Sequence, residues 1–212
     1  RQRIKETAQR YRYASLLLIP ILVLLGFMYA REFDSNPVSV GFEGTDMQVK
    51  NRFGKVLINF SVARPQFDPS TQRQKSAYWL LVDADQDGTN ELLLCSHTLM
   101  SEQTKKSPEL MLIDNEGASR WKVAFNDTAS CPKESNIPGY YGVSISDTLT
   151  IKNRIVAAVI HNSVPTFPSA IVLYDILTGD RLAGKLWHPG HIFQSLIISH
   201  PANTAPIILV IG

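Results

Sequence analysis

Residues 110–125 read Leu-Met-Leu-Ile-Asp-Asn-Glu-Gly-Ala-Ser-Arg-Trp-Lys-Val-Ala-Phe. An apolar run, a short polar turn and a second run with an aromatic residue are typical of a β-hairpin. Gly117 supplies the positive φ angle that such a tight turn requires. Two other stretches follow the same pattern, with their glycines at Gly54 and Gly179. The chain therefore repeats one hairpin at spacings of 63 and 62 residues.

Short β-rich runs lie around these hairpins and are bounded by Gly, Pro, Asn or Asp, which is typical of antiparallel strands. They cover residues 55–62, 78–82, 91–95, 110–113, 121–125, 154–160, 170–174 and 206–211. A near-constant long period favours four-stranded units of a β-propeller. We therefore predict an all-β domain, a partial β-propeller of four-stranded blades, over residues 45–212. At some 60 residues per blade there is room for fewer than three, whereas a closed ring needs about four to eight.

The incomplete blade count leaves two alternatives. Either the sequence is a piece of a longer protein, or its sheets close against another chain. A protein partner or subunit at the propeller face or open edge is therefore expected, since an unclosed sheet exposes hydrogen-bonding edges.

The composition excludes several classes of protein. Of the 212 residues, 44% are hydrophobic and 19% are charged, so the chain is not disordered. Its net charge of +2 does not suggest a nucleic-acid partner. Residues 1–13 alone carry a net charge of +4, which leaves the other residues at −2.

Residues 13–30 form an uncharged, mostly aliphatic run of 18 residues between Arg12 and Arg31. As a helix this run is about 27 Å long, close to the thickness of the hydrocarbon core of a bilayer. The alternatives are a buried core helix and a cleaved signal peptide, but for the latter bulky Met28 stands where a small residue is wanted before the cut. We predict a single transmembrane helix over residues 13–30.

The flanks of this run predict its orientation. Residues 1–12 form a basic juxtamembrane segment, and the positive-inside rule places that segment in the cytoplasm. Residues 31–44 then form a linker, and residues 45–212 lie outside the cytoplasm, in a periplasmic, extracellular or lumenal space. Cys95 and Cys131 can form a disulfide in that oxidising compartment, or they are two separate buried thiols.

An acidic loop follows one predicted strand: Asp83-Ala-Asp85-Gln-Asp87-Gly88-Thr89-Asn-Glu91. Carboxylates at relative positions 1, 3 and 5, with glycine at 6, direct several oxygens at one centre, as a calcium ion requires. Position 12 is Leu94, so the loop is not that of a helix-loop-helix calcium hand. The alternative is a turn whose side chains cap backbone N–H groups.

The stretch at residues 82–94 resembles the FG-GAP or VCBS repeat of integrin-like β-propellers. The hairpins at residues 114–121 and 174–180 resemble the outer hairpins of such blades, or of quinoprotein-like ones. The resemblance implies a disc built of blades that binds or senses. It also implies a structural calcium ion, held by the side chains of Asp83, Asp85, Asp87 and Glu91 and by the carbonyl group of Thr89.

No catalytic pattern stands out: there is no nucleophile elbow, no phosphate-binding glycine loop and no paired carboxylates beyond the acidic loop. We therefore expect a non-enzymatic membrane protein that carries an extracytoplasmic binding, sensory or assembly domain, with neither catalytic nor cofactor-binding residues. The alternative function is a membrane-anchored quinoprotein-like dehydrogenase domain.

Overall fold

The computed structural model describes residues 2–44, 46–61, 78–96, 108–125, 129–131, 134–137, 142–151, 153–162, 169–182, 184–190, 192, 194–198 and 207–211. One long helix, α1 (Gln2–Phe33), comes first, and every later element is a β-strand. The strands are β1 (Ser39–Glu43), β2 (Asp46–Lys50), β3 (Val56–Ser61), β4 (Trp79–Val82), β5 (Glu91–Ser96), β6 (Glu109–Ile113), β7 (Ser119–Ala124), β8 (Ala129–Cys131), β9 (Glu134–Ile137), β10 (Gly142–Ile151), β11 (Arg154–Asn162), β12 (Ser169–Asp175), β13 (Leu186–His188), β14 (Gln194–Ile198) and β15 (Ile207–Ile211).

The strands form consecutive antiparallel sheets in which neighbours along the chain pair with each other. The first sheet has the order β1-β2-β3, the second β4-β5-β6-β7, the third β10-β11-β12-β13 and the fourth β14-β15. Strands β8 and β9 form a separate pair. The prediction of a mostly β chain is confirmed, and each of the eight predicted runs overlaps an observed strand. The first sheet begins at Ser39, within the segment 31–44 that the sequence assigns to a linker.

The repeated hairpin has the expected conformation. Gly54, Gly117 and Gly179 have φ angles of 77°, 89° and 75°. They lie in the turns β2–β3, β6–β7 and β12–β13, which precede the last described strand of the first, second and third sheets. The predicted role of these glycines is therefore confirmed.

The four sheets stack face to face through apolar clusters. Met47 of the first sheet shares a cluster with Leu92 of the second. The opposite face of the second sheet, with Leu93, packs on the third sheet. The other face of the third sheet, with Ile160, packs on Ile208 of the fourth.

Two of the glycine turns lie within these sheet-to-sheet contacts. Ile58 of β3 lies 3.4 Å from the point where a Cβ at Gly117 would be. Trp121 of β7 fills the equivalent place over Gly179, where a Cβ would come within 2.6 Å of its ring. The Trp121 indole N–H also donates to the carbonyl of Ile176, at 2.9 Å. Gly179 thus allows its turn to pack on the last strand of the preceding sheet, whereas a Cβ at Gly117 would meet Ile58 at an ordinary van der Waals distance.

Burial patterns distinguish the first sheet from the other two large ones. In β2 the buried residues Met47 and Val49 alternate with partly exposed polar ones. By contrast, residues 92–95 of β5 and 156–160 of β11 are buried without interruption. Alternation is typical of a sheet with one solvated face, and continuous burial of a sheet covered on both sides. Strand β2 of the first sheet therefore presents polar side chains to solvent on one face.

The membrane prediction stays a prediction. No helix within the described residues is long and apolar enough to cross a membrane. Some side chains of the run 13–30 lie outside the described residues.

His161 of β11 is buried in the core between the second and third sheets. Its ring lies 4.3 Å from the ring of Phe125 and 6.4 Å from that of Tyr174, centroid to centroid. Burial lowers the pKa of His161 to about 3, and the positive charge of Arg181 acts in the same direction. The imidazole is therefore neutral in the folded protein at neutral pH.

This burial predicts acid instability. Because the unfolded chain binds the proton near pH 6.5 and the folded chain only near pH 3, stability falls as the pH drops through that window. His161 alone should contribute about 1.4 kcal/mol of lost stability per pH unit. Urea unfolding of wild type and His161→Phe at several pH values should show that slope in the difference between them. Parallel pH curves for the two proteins would contradict it.

Candidate functional site

Three equivalent side chains organise the hairpin turns. The Oδ1 atom of Asn51 accepts hydrogen bonds from the backbone N–H groups of Phe53 and Lys55, at 3.0 and 2.9 Å. Asp114 does the same for Glu116 and Ala118, at 3.0 and 2.8 Å. Asp175 takes this role in the third sheet, where its Oδ1 accepts from two backbone N–H groups of the turn. Such Asx turns explain why Asn or Asp precedes each glycine.

Asn51 differs from its two counterparts because its amide also has protons to donate. Its Nδ2 donates to the carbonyl oxygens of Arg31 and Asp34, at 3.0 and 2.8 Å. The last carbonyl groups of a helix have no partner within the helix, so a buried donor is needed there. Asn51 is 1% exposed. A carboxylate could hold the turn but could not make these two bonds.

Charged groups also connect the β2–β3 turn to the end of α1. Lys55 Nζ donates to the backbone carbonyl of Glu32 at 2.8 Å and to its carboxylate at 2.7 Å. The hydrogen bond from Lys55 lowers the pKa of Glu32. Arg52 forms an ion pair with Asp34 at 2.9 Å. Cations near a helix C-terminus also interact favourably with the helix dipole.

The segment that follows α1 is then held by the second sheet. Asn36 donates to the carbonyl of Gly88 at 3.3 Å, and its Oδ1 accepts from the N–H of Asn90 at 2.9 Å. Asn90 in turn donates to the carbonyl of Pro37 at 2.8 Å. The acidic loop thus contacts the chain three residues after the end of α1. We call the contacts of residues 31–37 with the turn 51–55 and the loop 83–91 the junction.

The acidic loop is held mainly by its own backbone. Asp83 accepts hydrogen bonds from the N–H groups of Asp87 and Gly88, at 3.0 and 2.9 Å. Asp87 accepts from the N–H of Thr89 at 2.7 Å. Gln86 and Gly88 have positive φ angles of 62° and 91°. The capping interpretation of these carboxylates is therefore correct for Asp83 and Asp87.

Arg120 of β7 places a cation in the loop. Its guanidinium lies 2.6 Å from Asp85 and 2.9 Å from Glu91, whose side chain is 2% exposed. The hydrogen bond from Arg120 lowers the pKa of Asp85. Burial raises the pKa of Glu91, while the N–H of Ala84 and the charge of Arg120 oppose that rise. The sequence did not identify Arg120, since it lies 29 residues beyond the loop.

Part of the predicted calcium set comes together. Ligand oxygens of Asp83, Asp85 and Glu91 lie within 4.8 Å of one another. Among the described residues this is the group of carboxylates that could hold a metal ion, and Asp87 does not belong to it. A calcium ion on Asp85 and Glu91 would compete with Arg120 for the same oxygens. The donor set fits calcium only if that arginine moves away.

The sequence leaves two alternatives open for Cys95 and Cys131, a disulfide or two separate thiols. Cys95 is a free thiol that is fully buried, and burial raises its pKa. The side chain of Cys131 lies outside the described residues.

No protein-family model, no curated protein and no solved structure matches this chain. The resemblance to FG-GAP or VCBS repeats therefore stays a prediction from the residues quoted above.

The dual role of Asn51 predicts an asymmetry between two conservative substitutions. Asn51→Asp keeps the turn acceptor but places a carboxylate oxygen against two carbonyl oxygens, which should cost about 2–4 kcal/mol of unfolding free energy. Asp114→Asn, the matched control, retains its acceptor and should cost less than about 1 kcal/mol. Denaturant unfolding of the purified protein measures both. Equal losses in the two variants would contradict this role for Asn51.

Proposed function

We propose that this chain is a single-pass membrane protein whose helix α1 anchors an all-β binding or assembly domain outside the cytoplasm. The observation that carries the proposal is the exposure of α1. Among its described side chains, the large apolar residues from Leu16 to Phe33 are 50–68% exposed, and residues 21–25 are all among them. Five consecutive positions pass all the way round a helix, so no face of the stretch 21–25 is buried on the domain. An apolar helix with no covered face favours a lipid environment.

The junction supports an anchoring role for the helix. Asn51 and Lys55 bond the last turn of α1 directly to the first sheet. The net charge of +4 on residues 1–13 favours a cytoplasmic N-terminus, which leaves the sheets on the opposite side.

The stacked sheets support the propeller part of the proposal. The second and third sheets are each four-stranded meanders, as propeller blades are, and the same glycine turn recurs in each. We propose that they are blades of a partial propeller.

The outer part of the third sheet is the surface that we propose for a protein partner. The backbone N–H of Leu182 donates to the carbonyl of Leu173, which lies two residues before Asp175. In the second sheet Trp121 pairs with Leu112, which lies two residues before Asp114. Leu182 is therefore the counterpart of Trp121. In the first two sheets the residue at this position packs under the next glycine turn. Leu182 and its neighbour Leu186 are instead 40% and 48% exposed. An exposed apolar pair at a position that is covered elsewhere in the same fold favours association.

Membrane anchoring is tested by extraction and protease protection in native membranes. Wild type should stay in the membrane pellet at alkaline pH, and residues 31–212 should be shielded from protease added on the cytoplasmic side. Leu22→Arg combined with Leu24→Arg should release the protein, because each arginine near the bilayer centre costs about 2.5–3.5 kcal/mol. Release of the wild-type protein, or digestion from the cytoplasmic side, would contradict the proposal.

Leu182→Glu combined with Leu186→Glu is the matched control, because it places two charges on exposed leucines outside α1. This variant should stay in the pellet. After mild solubilisation it should migrate at a lower native mass than wild type, because the proposed partner surface is lost. Equal native masses would remove the support for partner binding at this surface.

We also propose that calcium stabilises the acidic loop, with Asp83, Asp85 and Glu91 as the residues that would hold it. Arg120→Leu should lower the unfolding free energy by about 3 kcal/mol, because it leaves Glu91 buried without its cation. Added calcium should restore much of that loss.

Asp85→Ala combined with Asp87→Ala should abolish any rise in melting temperature with calcium. If neither calcium nor a chelator changes the melting temperature of the Arg120→Leu protein, the proposed calcium site is wrong.

A further inference from the structure

We propose that the tip of the β2–β3 turn, Arg52 and Phe53, is a second membrane contact that inserts into the lipid interface beside α1. The proposed occupant of this surface is the boundary between the headgroups and acyl chains of a phospholipid bilayer. The inference rests on the proposed anchoring by α1 and adds the position of the domain on the membrane.

The position of Phe53 along the helix carries the inference. Its ring packs edge-on against the ring of Phe27, with 5.4 Å between centroids and 88° between planes. Phe27 lies three residues before the end of the predicted span 13–30, which is about 4.5 Å along the helix axis. If the span is in lipid, Phe53 therefore lies at the depth of the interface rather than in bulk water.

The chemistry of the tip fits that depth. The Arg52 guanidinium lies 5.1 Å from the centre of the Phe53 ring, and the Arg52 side chain is 69% exposed. An aromatic ring with an arginine above it suits the boundary between acyl chains and phosphates. On the helix itself, Tyr29 and Phe33 stack at 4.3 Å and are 65% and 68% exposed. These rings extend the aromatic surface around the end of α1.

Neighbouring residues of the first sheet continue the apolar surface. Val56 pairs with Lys50, and the N–H of Val38 donates to the carbonyl of Lys50. Val38 and Val56 are 43% and 41% exposed. Among the described residues from 34 to 125, these are the exposed large apolar residues, and both lie next to the junction.

The other turns of the same type provide an internal comparison. The residue two positions after the Asx side chain is Phe53 in the first sheet, Glu116 in the second and Leu177 in the third. Leu177 is also apolar and 45% exposed, but it lies in the third sheet, two sheets away from the junction. It is therefore a control for turn position without the helix contact, and it is more exposed than Phe53, which is half-buried.

Spin labels at these two positions test the proposal in the full chain. Phe53→Cys and Leu177→Cys are labelled in purified protein with Cys131 replaced by serine, which is then placed in nanodiscs of phosphatidylcholine and phosphatidylglycerol. The label at position 53 should relax several-fold more with oxygen, which partitions into lipid, than with a water-soluble nickel chelate. The label at position 177 should show the reverse. Arg52→Cys supplies a second reporter with the same expected lipid signature should Phe53→Cys fail to fold.

Two contrary results are distinguishable. If the protein sediments with membranes at alkaline pH but the labels at positions 52 and 53 are as accessible to nickel as the label at 177, the lipid contact of the tip is wrong and the anchoring stands. If the protein does not sediment, both the anchoring and the lipid contact are wrong.

Discussion

The amide group of Asn51 connects the two parts of this molecule. Its oxygen closes the β2–β3 turn, and its nitrogen bonds the carbonyl groups of Arg31 and Asp34 at the end of α1. One side chain therefore satisfies the backbone at both places at once. The same position is Asp114 and Asp175 in the other sheets, where no helix end has to be bonded. The choice of Asn over Asp follows from the partial negative charge of helix carbonyls.

This connection bears on how freely the segment between the helix and the sheets can move. Its composition suggests a linker over residues 31–44, which would leave the domain free to tumble. In the structure the helix ends against the first sheet, and Asn36 and Asn90 fasten the following residues to the acidic loop. A few hydrogen bonds therefore connect that loop to the residues after α1. The first and third sheets also differ in what they expose: β2 exposes polar side chains, whereas the third sheet exposes Leu182 and Leu186.

Much of the fold was predictable from local signals. Gly54, Gly117 and Gly179 mark the turns because only glycine takes their φ angles at low cost. Strand β10 was missed, since its apolar residues alternate with Ser and Thr and form no continuous run. Arg120 and the donors of Asn51 were missed for a different reason. They act on residues that are distant along the chain. Arg120 reaches the acidic loop across the second sheet, and Asn51 reaches the end of α1, so these contacts exist only in the folded chain.

Pulsed electron resonance between spin labels at Met28 of α1 and Ser119 of β7 tests the central claim most directly. The protein would be measured in nanodiscs, with Cys131 replaced by serine and Cys95 left buried. A junction fixed by Asn51 predicts one narrow distance distribution between the two labels, which broadens in Asn51→Asp. A broad distribution in the wild-type protein would mean that residues 31–38 are a flexible linker, and the account of the junction would be wrong.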